Sequence, residues 1–254
     1  MINTFRKLHE QVSALQICNV WDAASAKVAK QLGYQAIGTS SAAIASMLGY
    51  DDGEEMTFDE LFFIVERIAK AIDLPLTVDI ESGYSEDPLV TAHYIKRLAE
   101  LGVVGINIED SSVKDERILT DANHFVGFLS AVTYQLKKDS VSVFINVRTD
   151  TFLLLTENKV LETCHRAALY QSAGADGLFV PGIVAECDIR DVVAQVELPL
   201  NVMCMPDLAD FTTLSDIGVK RISMGNFLFE QCQQQLSNSL AKVAANNTFN
   251  SVFQ

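Results

Sequence analysis

A chain of 254 residues with a formal net charge of −14 meets phosphate backbones and anionic lipid through like charge, which excludes nucleic acid and anionic membrane surfaces as partners. Its 49% hydrophobic content is ample for a large core, yet no apolar run approaches the roughly 20 residues of a membrane span. Cys18, Cys164, Cys187, Cys204 and Cys232 are scattered, with no C-x-x-C pair, so neither a disulfide framework nor a zinc site is indicated.

The first ten residues lack the apolar centre of a signal peptide, so the expected location is cytoplasmic. Residues 4 to 15 have spacing suited to a short helix, and Gln16 to Val20 reads as a first strand. Ala23 to Leu32 is a helix stopped by Gly33, and Ala36 to Thr39 is a second strand running into Ser40, Ser41 and a small-residue helix to Leu48. An acidic loop, Gly49 to Glu55, precedes a helix capped by Thr57 with Glu60 in the capping-box position and ending near Ile72. A third strand starts at Leu76, and Asp87-Pro88 opens a helix to Leu101. Val104 to Asp110 is strand four, followed by a polar loop from Ser111 to Thr120 and a helix from about Asp121 to Lys137. Val143 to Asp150, Gly177 to Val180, Leu200 to Met203 and Arg221 to Met224 complete the strands. Helices are expected at Asn158 to Ala173, Ala185 to Gln195, Asp207 to Ile217 and Phe227 to about Ala244. Eight strands alternating with helices, without a linker or a shift of composition, predict an α/β fold: one (β/α)₈ TIM barrel domain over residues 1–254.

In such a barrel the functional edge is the C-terminal end of the strands. Strand three reads Leu-Thr-Val-Asp-Ile-Glu-Ser-Gly, and the two-residue period of a strand puts Asp79 and Glu81 on one face. Glu109 ends strand four, and Asp52 lies in the loop after strand two. Four converging carboxylates repel one another and lose solvation, and a divalent cation resolves that conflict. Oxygen donors without His or Cys point to magnesium or manganese rather than zinc. Arg148, at the end of strand five, is either an ion-pair partner for Asp150 or Glu109 or a fork for a substrate carboxylate. Ser40 and Ser41 suit a helix cap, and helix-start amides also bind anions. Asp110 reads as a helix cap or surface acid, Asp51, Glu54 and Glu55 as a solvated loop, and His93, His124 and His165 as helical residues without catalytic work.

These residues carry a resemblance. Asn19-Val20-Trp21-Asp22-Ala23, Gly38-Thr39-Ser40-Ser41, Gly49-Tyr50-Asp51-Asp52, Asp79-Ile80-Glu81-Ser82-Gly83-Tyr84, Ile108-Glu109-Asp110, Asn146-Val147-Arg148-Thr149 and Gly174-Ala175-Asp176-Gly177 follow one another as in the isocitrate lyase and phosphoenolpyruvate mutase superfamily. The chain resembles its phosphonomutase-like branch over nearly its whole length. The resemblance implies a barrel whose last helix is exchanged with a neighbouring subunit, usually in a homotetramer. It also implies metal-assisted making or breaking of a C–C or P–C bond beside a small 2-oxo acid, through an enolate. By position it makes Asp79 the direct metal ligand, and Glu81 and Glu109 acids that hold the ion directly or through water. Asp52 becomes the loop aspartate over the site, Arg148 the arginine on the oxo-acid carboxylate, Ser40 and Ser41 the carboxylate-binding segment, and Asn201 a substrate-facing asparagine on strand seven.

Two departures narrow the expectation. The lyases of that superfamily carry a Lys-Lys-Cys-Gly-His or Lys-Arg-Cys-Gly-His loop after strand four, whereas Ser111 to Thr120 has neither Cys nor His, and Lys114 is the only stand-in for a gate lysine. The second acid of the usual Asp-x-Asp is lengthened to Glu81, so isocitrate or methylisocitrate cleavage is not expected. The sequence reading is therefore a metal-dependent lyase-type enzyme for a small 2-oxo acid. Its alternative is a metabolite-binding protein that kept the pocket without turnover; a class II aldolase barrel would want histidine ligands that the strand ends lack. The apolar residues Phe227, Leu228, Leu236, Leu240 and Val243 of the last helix, with Phe249, Val252 and Phe253 beyond, predict a homo-oligomer, expected to be a tetramer.

Overall fold

The structure is a computed structural model that describes residues 1–113 and 116–253. Eight parallel strands, Leu15–Val20, Ala36–Thr39, Leu76–Asp79, Gly105–Glu109, Phe144–Arg148, Gly177–Val180, Leu200–Met203 and Arg221–Ser223, pair in chain order. The eighth returns to the first, Arg221 opposite Leu15, and closes the barrel. Alternation along each strand sorts the side chains: Val78, Ile106, Ile108, Ile145 and Val147 join the helices in the outer core, while Thr77, Asp79, Asn107, Glu109, Asn146 and Arg148 take the alternate, inward positions. Register brings the inward charges together, with Asp79 opposite Asn107 and Glu109 opposite Arg148.

The helices form where their start and stop signals stand. Thr57 Oγ1 accepts from Glu60 N at 3.3 Å and Glu60 Oε2 accepts from Thr57 N at 2.8 Å, so the capping box opens helix Phe58–Ala71 as expected. Asp87 caps Leu89 N at 2.8 Å ahead of Pro88. Three expectations shift. The first helix is Ile2–Leu8, and the penultimate one starts at Phe211 because Asp210 Oδ1 accepts from Thr212 N and Thr213 N, both at 2.9 Å. The expected polar loop after strand four instead carries a hairpin, Ser111–Val113 against Arg117–Leu119.

The barrel interior is apolar at its base and polar above. Phe5 of the first helix packs with Leu15, Ile17, Ala36, Val104 and Phe144 and stops the N-terminal end. Above it, Asn146 Nδ2 donates to Asn107 Oδ1 at 2.9 Å and to Asn201 Oδ1 at 3.1 Å, and Asn201 Nδ2 donates to Ser223 Oγ at 3.0 Å. Gly177 makes room for this layer, since a Cβ there would stand 2.7 Å from Asn146 Oδ1. The buried Arg221 joins through Nη2 to Asn107 Oδ1 at 3.3 Å, and burial lowers its pKa to about 9. The last helix, Phe227–Asn246, leaves the barrel with Phe229 as its one buried residue, set edge-on to Trp21. No helix among the described residues is long and apolar enough to cross a membrane.

Candidate active site

Strand three ends at Asp79, one residue before the chain turns. Glu81, Gly83 and Tyr84 have φ of 51°, 115° and 59°, so the alternation that was to align Asp79 with Glu81 does not extend past the strand. Past the strand, the Glu81 backbone N donates to Asp79 Oδ1 at 3.3 Å, and the turn is pinned by Thr91 Oγ1 on Gly83 O at 3.0 Å. The turn needs glycine at 83, because a Cβ there would meet Thr91 Cγ2 at 2.9 Å as well as an unfavourable φ. Glu81 accepts from Tyr84 Oη at 2.9 Å and from Glu54 N at 2.7 Å. Glu54 is therefore not a solvated loop acid. Its carboxylate accepts from Ser82 Oγ at 2.8 Å and Tyr84 N at 2.9 Å, fastening the acidic loop to the turn after strand three.

The two serines divide their tasks. Ser40 caps helix Ser41–Leu48 through Ala43 N at 3.3 Å, whereas Ser41 Oγ donates to Asp79 Oδ2 at 3.1 Å. Glu109 is enclosed by cations: Arg148 Nη1 lies 2.9 Å from Oε2, and Arg117 Nη1 donates to Oε1. Arg148 also pairs side-on with Asp150, Nε to Oδ1 at 2.6 Å and Nη2 to Oδ2 at 2.9 Å, so the ion-pair reading of this arginine is present in full. Arg117 reaches Asp52 Oδ2 at 3.0 Å and Asp150 Oδ2 at 3.3 Å, which ties the strand-two loop across the mouth. Asp110 is neither a cap nor a surface acid. It is fully buried and accepts from Thr149 Oγ1 at 2.7 Å, Tyr170 Oη at 2.6 Å and Arg166 Nη1 at 3.0 Å. Asn201 is only 1% exposed, and its side chain is engaged by Asn146 and Ser223 in the asparagine layer. Lys114 lies outside the described residues.

Arg117 is the residue that sequence reasoning missed. Its signal was the alternation of Ser-x-Val and Arg-x-Leu around a short polar turn, which is a hairpin pattern that puts Ser111, Val113, Arg117 and Leu119 on one face. A cavity of about 590 Å³ adjoins the cluster, lined among others by Glu54, Glu81, Ser82, Tyr84, Glu109 and His124.

The electrostatics separate the acids into two groups. Burial raises Asp79, with Arg148 pulling the other way, and pushes Glu81 up to about 8, with the charges of Asp79 and Asp52 adding to it. Burial likewise lifts Glu109 to about 7, against the pull of Arg148. For Asp150 burial works against ionisation, but Arg148 and Ser111 outweigh it and hold the carboxyl below its usual range. Among the described residues Asp79 and Glu81 thus lack a cation in contact, and their oxygen donors suit a hard divalent ion. Glu109 suits it by chemistry, but both its oxygens face arginine. Among the described residues no three acid, His or Cys side chains are grouped to hold a metal.

A pH dependence follows from these shifts. In the unfolded chain Glu81 ionises near 4.5, whereas in the fold it keeps its proton to about 8, so stability falls as pH rises through that window. His9, lowered from 6.5 to about 4 by burial and by Arg221, opposes this only below 6.5. With chelator present, the melting temperature should therefore drop between pH 6.5 and pH 8, and Glu81→Gln should remove the part of the drop above about pH 7, where Glu109 no longer contributes. A level profile for the parent chain would show that these acids are not desolvated.

The geometry matches a known family. Residues 5–244 match the family model described as phosphoenolpyruvate phosphomutase. The chain belongs to the phosphoenolpyruvate mutase and isocitrate lyase superfamily. Its fold superposes on the crystal structure of a candidate phosphonomutase from Burkholderia cenocepacia J2315 with a TM-score of 0.89 and 37% identity, covering 95% of this chain and 98% of that one. An uncharacterized protein of Mycobacterium tuberculosis is 33% identical over 223 residues, 88% of this chain and 82% of the relative. Oxaloacetate decarboxylase of Paraburkholderia xenovorans is 28% identical over 248 residues, 94% of this chain and 80% of that enzyme. Members of the superfamily are lyases and mutases, and the chain is an enzyme of that kind. The loop after strand four carries a hairpin arginine, Arg117, and neither Cys nor His.

Proposed function

We propose that the protein is a magnesium- or manganese-dependent lyase that makes or breaks a C–C or P–C bond beside a small 2-oxo acid through an enolate. The observation that carries this reading is Asp79, an acid at the C-terminal end of strand three that burial strips of solvation and that no cation among the described residues touches, one strand away from the Glu109–Arg148 pair. Asp79 and Glu81, with Glu109, would hold the ion, whose charge would stabilise an enolate oxygen. Ser41 orients Asp79, and the start of helix Ser41–Leu48 offers amides to a substrate carboxylate. Arg148 keeps one N–H on each terminal nitrogen beyond those spent on Asp150 and Glu109, and these would bind the same carboxylate. Asp52, held over the mouth by Arg117, would face the reacting centre; Asn201 would support the floor beneath it. The chain would act as one barrel domain over 1–254 in the cytoplasm, as a homotetramer with its last helix exchanged. Leu236 and Leu240, 54% and 59% exposed on that helix, supply the apolar surface such an exchange would cover.

The test is calorimetry with magnesium and oxalate, followed by a turnover screen of oxaloacetate, phosphonopyruvate and 2-methylmalate-like acids. Turnover of one of them supports the lyase. Binding without turnover favours the second reading, a metal and 2-oxo-acid binding protein, for which the argument is a loop after strand four that carries neither Cys nor His. Arg148→Lys should weaken oxalate binding about tenfold to a hundredfold and leave the metal in place, because an ammonium cannot reproduce two directed N–H bonds. Equal loss of metal and oxalate would assign Arg148 to the ion cage instead.

A further inference from the structure

The acids of the mouth are not left to face one another. Arg117 spans three of them: Nη2 is 3.0 Å from Asp52 Oδ2, Nη1 is 3.3 Å from Asp150 Oδ2, and Nη1 also donates to Glu109 Oε1. Ser111 Oγ, on the opposite strand of the same hairpin, completes the cage with contacts of 3.1 Å to Glu109 Oε1 and 2.7 Å to Asp150 Oδ2. Arg148 takes the other oxygen of Glu109 at 2.9 Å. Glu109 Oε1 thus accepts from Arg117 and Ser111 together, which engages both of its lone pairs, so an ion can take this oxygen only when one of those donors leaves.

The two arginines are anchored differently. Arg148 stands on a barrel strand and is locked side-on to the fully buried Asp150. Arg117 stands on a two-stranded hairpin outside the barrel, and its outer partner Asp52 is 42% exposed. Of the two, Arg117 is the more readily released, since it holds Asp150 by one contact of 3.3 Å where Arg148 holds it by two, of 2.6 and 2.9 Å.

We propose that Arg117 is an internal cation that occupies the acid cage in place of the divalent metal and is exchanged for it: the ion takes Glu109 as the guanidinium leaves. Resting on the metal-dependent reading above, this makes the hairpin the element that sets metal affinity. Two effects then act in one direction when Arg117 is removed. Glu109 Oε1 is released, and a positive charge beside the incoming cation disappears.

The experiment is titration of the full chain with Mn²⁺ alone, read by calorimetry and by the loss of the free-ion electron paramagnetic resonance signal, for the parent chain, Arg117→Gln, Arg117→Lys and Asp79→Asn. Arg117→Gln should bind Mn²⁺ about tenfold to a hundredfold more tightly than the parent. Arg117→Lys separates exchange from simple charge. It keeps the charge but cannot hold Asp52, Glu109 and Asp150 at once, so exchange predicts tighter binding for it as well. Unchanged or weaker binding in Arg117→Gln overturns the proposal. Tighter binding in Arg117→Gln with parent-like binding in Arg117→Lys overturns it too, since charge alone would then account for the gain. Absence of Mn²⁺ binding in all four chains would instead remove the metal reading, and the exchange with it.

Discussion

Replacing Asp79 by Asn is expected to lower divalent-metal affinity by at least about a hundredfold while raising the melting temperature of the chelator-treated chain. Loss of a residue that merely supports a metal ligand typically costs ten- to a hundredfold in affinity, so loss of a direct ligand costs at least the upper figure. Turnover should fall with the metal. The stability change runs the other way because burial disfavours the Asp79 carboxylate by more than Arg148, Glu81 N and Ser41 recover. Asn keeps the shape and an oxygen for Ser41 Oγ–H without the charge. Each kcal/mol regained should appear as about 2 to 4 °C in melting temperature for a chain of this size. Calorimetry and a melting curve on the same preparation decide the matter. Unchanged metal binding would remove Asp79 from the ion site, and a lower melting temperature would show the carboxylate to be a structural partner.

The largest stability loss is expected at a residue that touches no substrate. Asp110→Ala deletes the acceptor for Thr149 Oγ1, Tyr170 Oη and Arg166 Nη1, all within 3.0 Å, and for Asp150 N at 3.3 Å. Arg166, 8% exposed, keeps Glu162 at 2.7 Å but loses its buried countercharge. Breaking one side of such a pair costs about 3 to 5 kcal/mol, and the remaining Glu162 contact places the expectation near the lower bound, about 3 kcal/mol. Asp110→Asn should cost less, since it still accepts from the two hydroxyls. Urea midpoints measure both. A loss under about 1 kcal/mol for the alanine variant would mean that the cluster relaxes to admit water. Oxalate affinity should fall along with stability, because Asp110 holds the Asp150 backbone that presents its carboxylate to Arg148.

Elements that repeat along one local axis were legible in the sequence. Isoleucines 106 and 108 alternate with Asn107 and Glu109, so both the strand and the inward aim of its acid could be read, and Thr57 with Glu60 announced a helix start that formed. Asp79, Glu109 and Arg148 could be placed at one edge for the same reason. Glu81 was aligned with Asp79 by strand alternation, which does not hold: the strand ends at Asp79, the chain turns through left-handed backbone at Glu81, and it is the Glu81 backbone N that meets Asp79. Asp110 was misread because its partners lie 39 to 60 positions away, on elements whose approach depends on barrel closure. Arg117 pairs with Asp52 across 65 positions, and only the fold of the hairpin reveals it. Asn201 shows the converse: the barrel position is right, but its side-chain bonds are spent within the barrel.

Barrel closure joins the two ends of the chain, and that has a consequence for biosynthesis. Asn19 Oδ1 accepts from Met224 N at 2.8 Å across 205 positions, and Arg6 meets Asp176 across 170. Strand one therefore waits with an unpaired edge until strand eight has left the ribosome, and during that interval its N–H and C=O groups can template pairing with other nascent chains. The same long separations make the final step slow relative to helix formation. A substitution in the seam between strands one and eight would then reduce soluble yield more than its effect on the finished barrel foretells, because the damage falls on the time spent open.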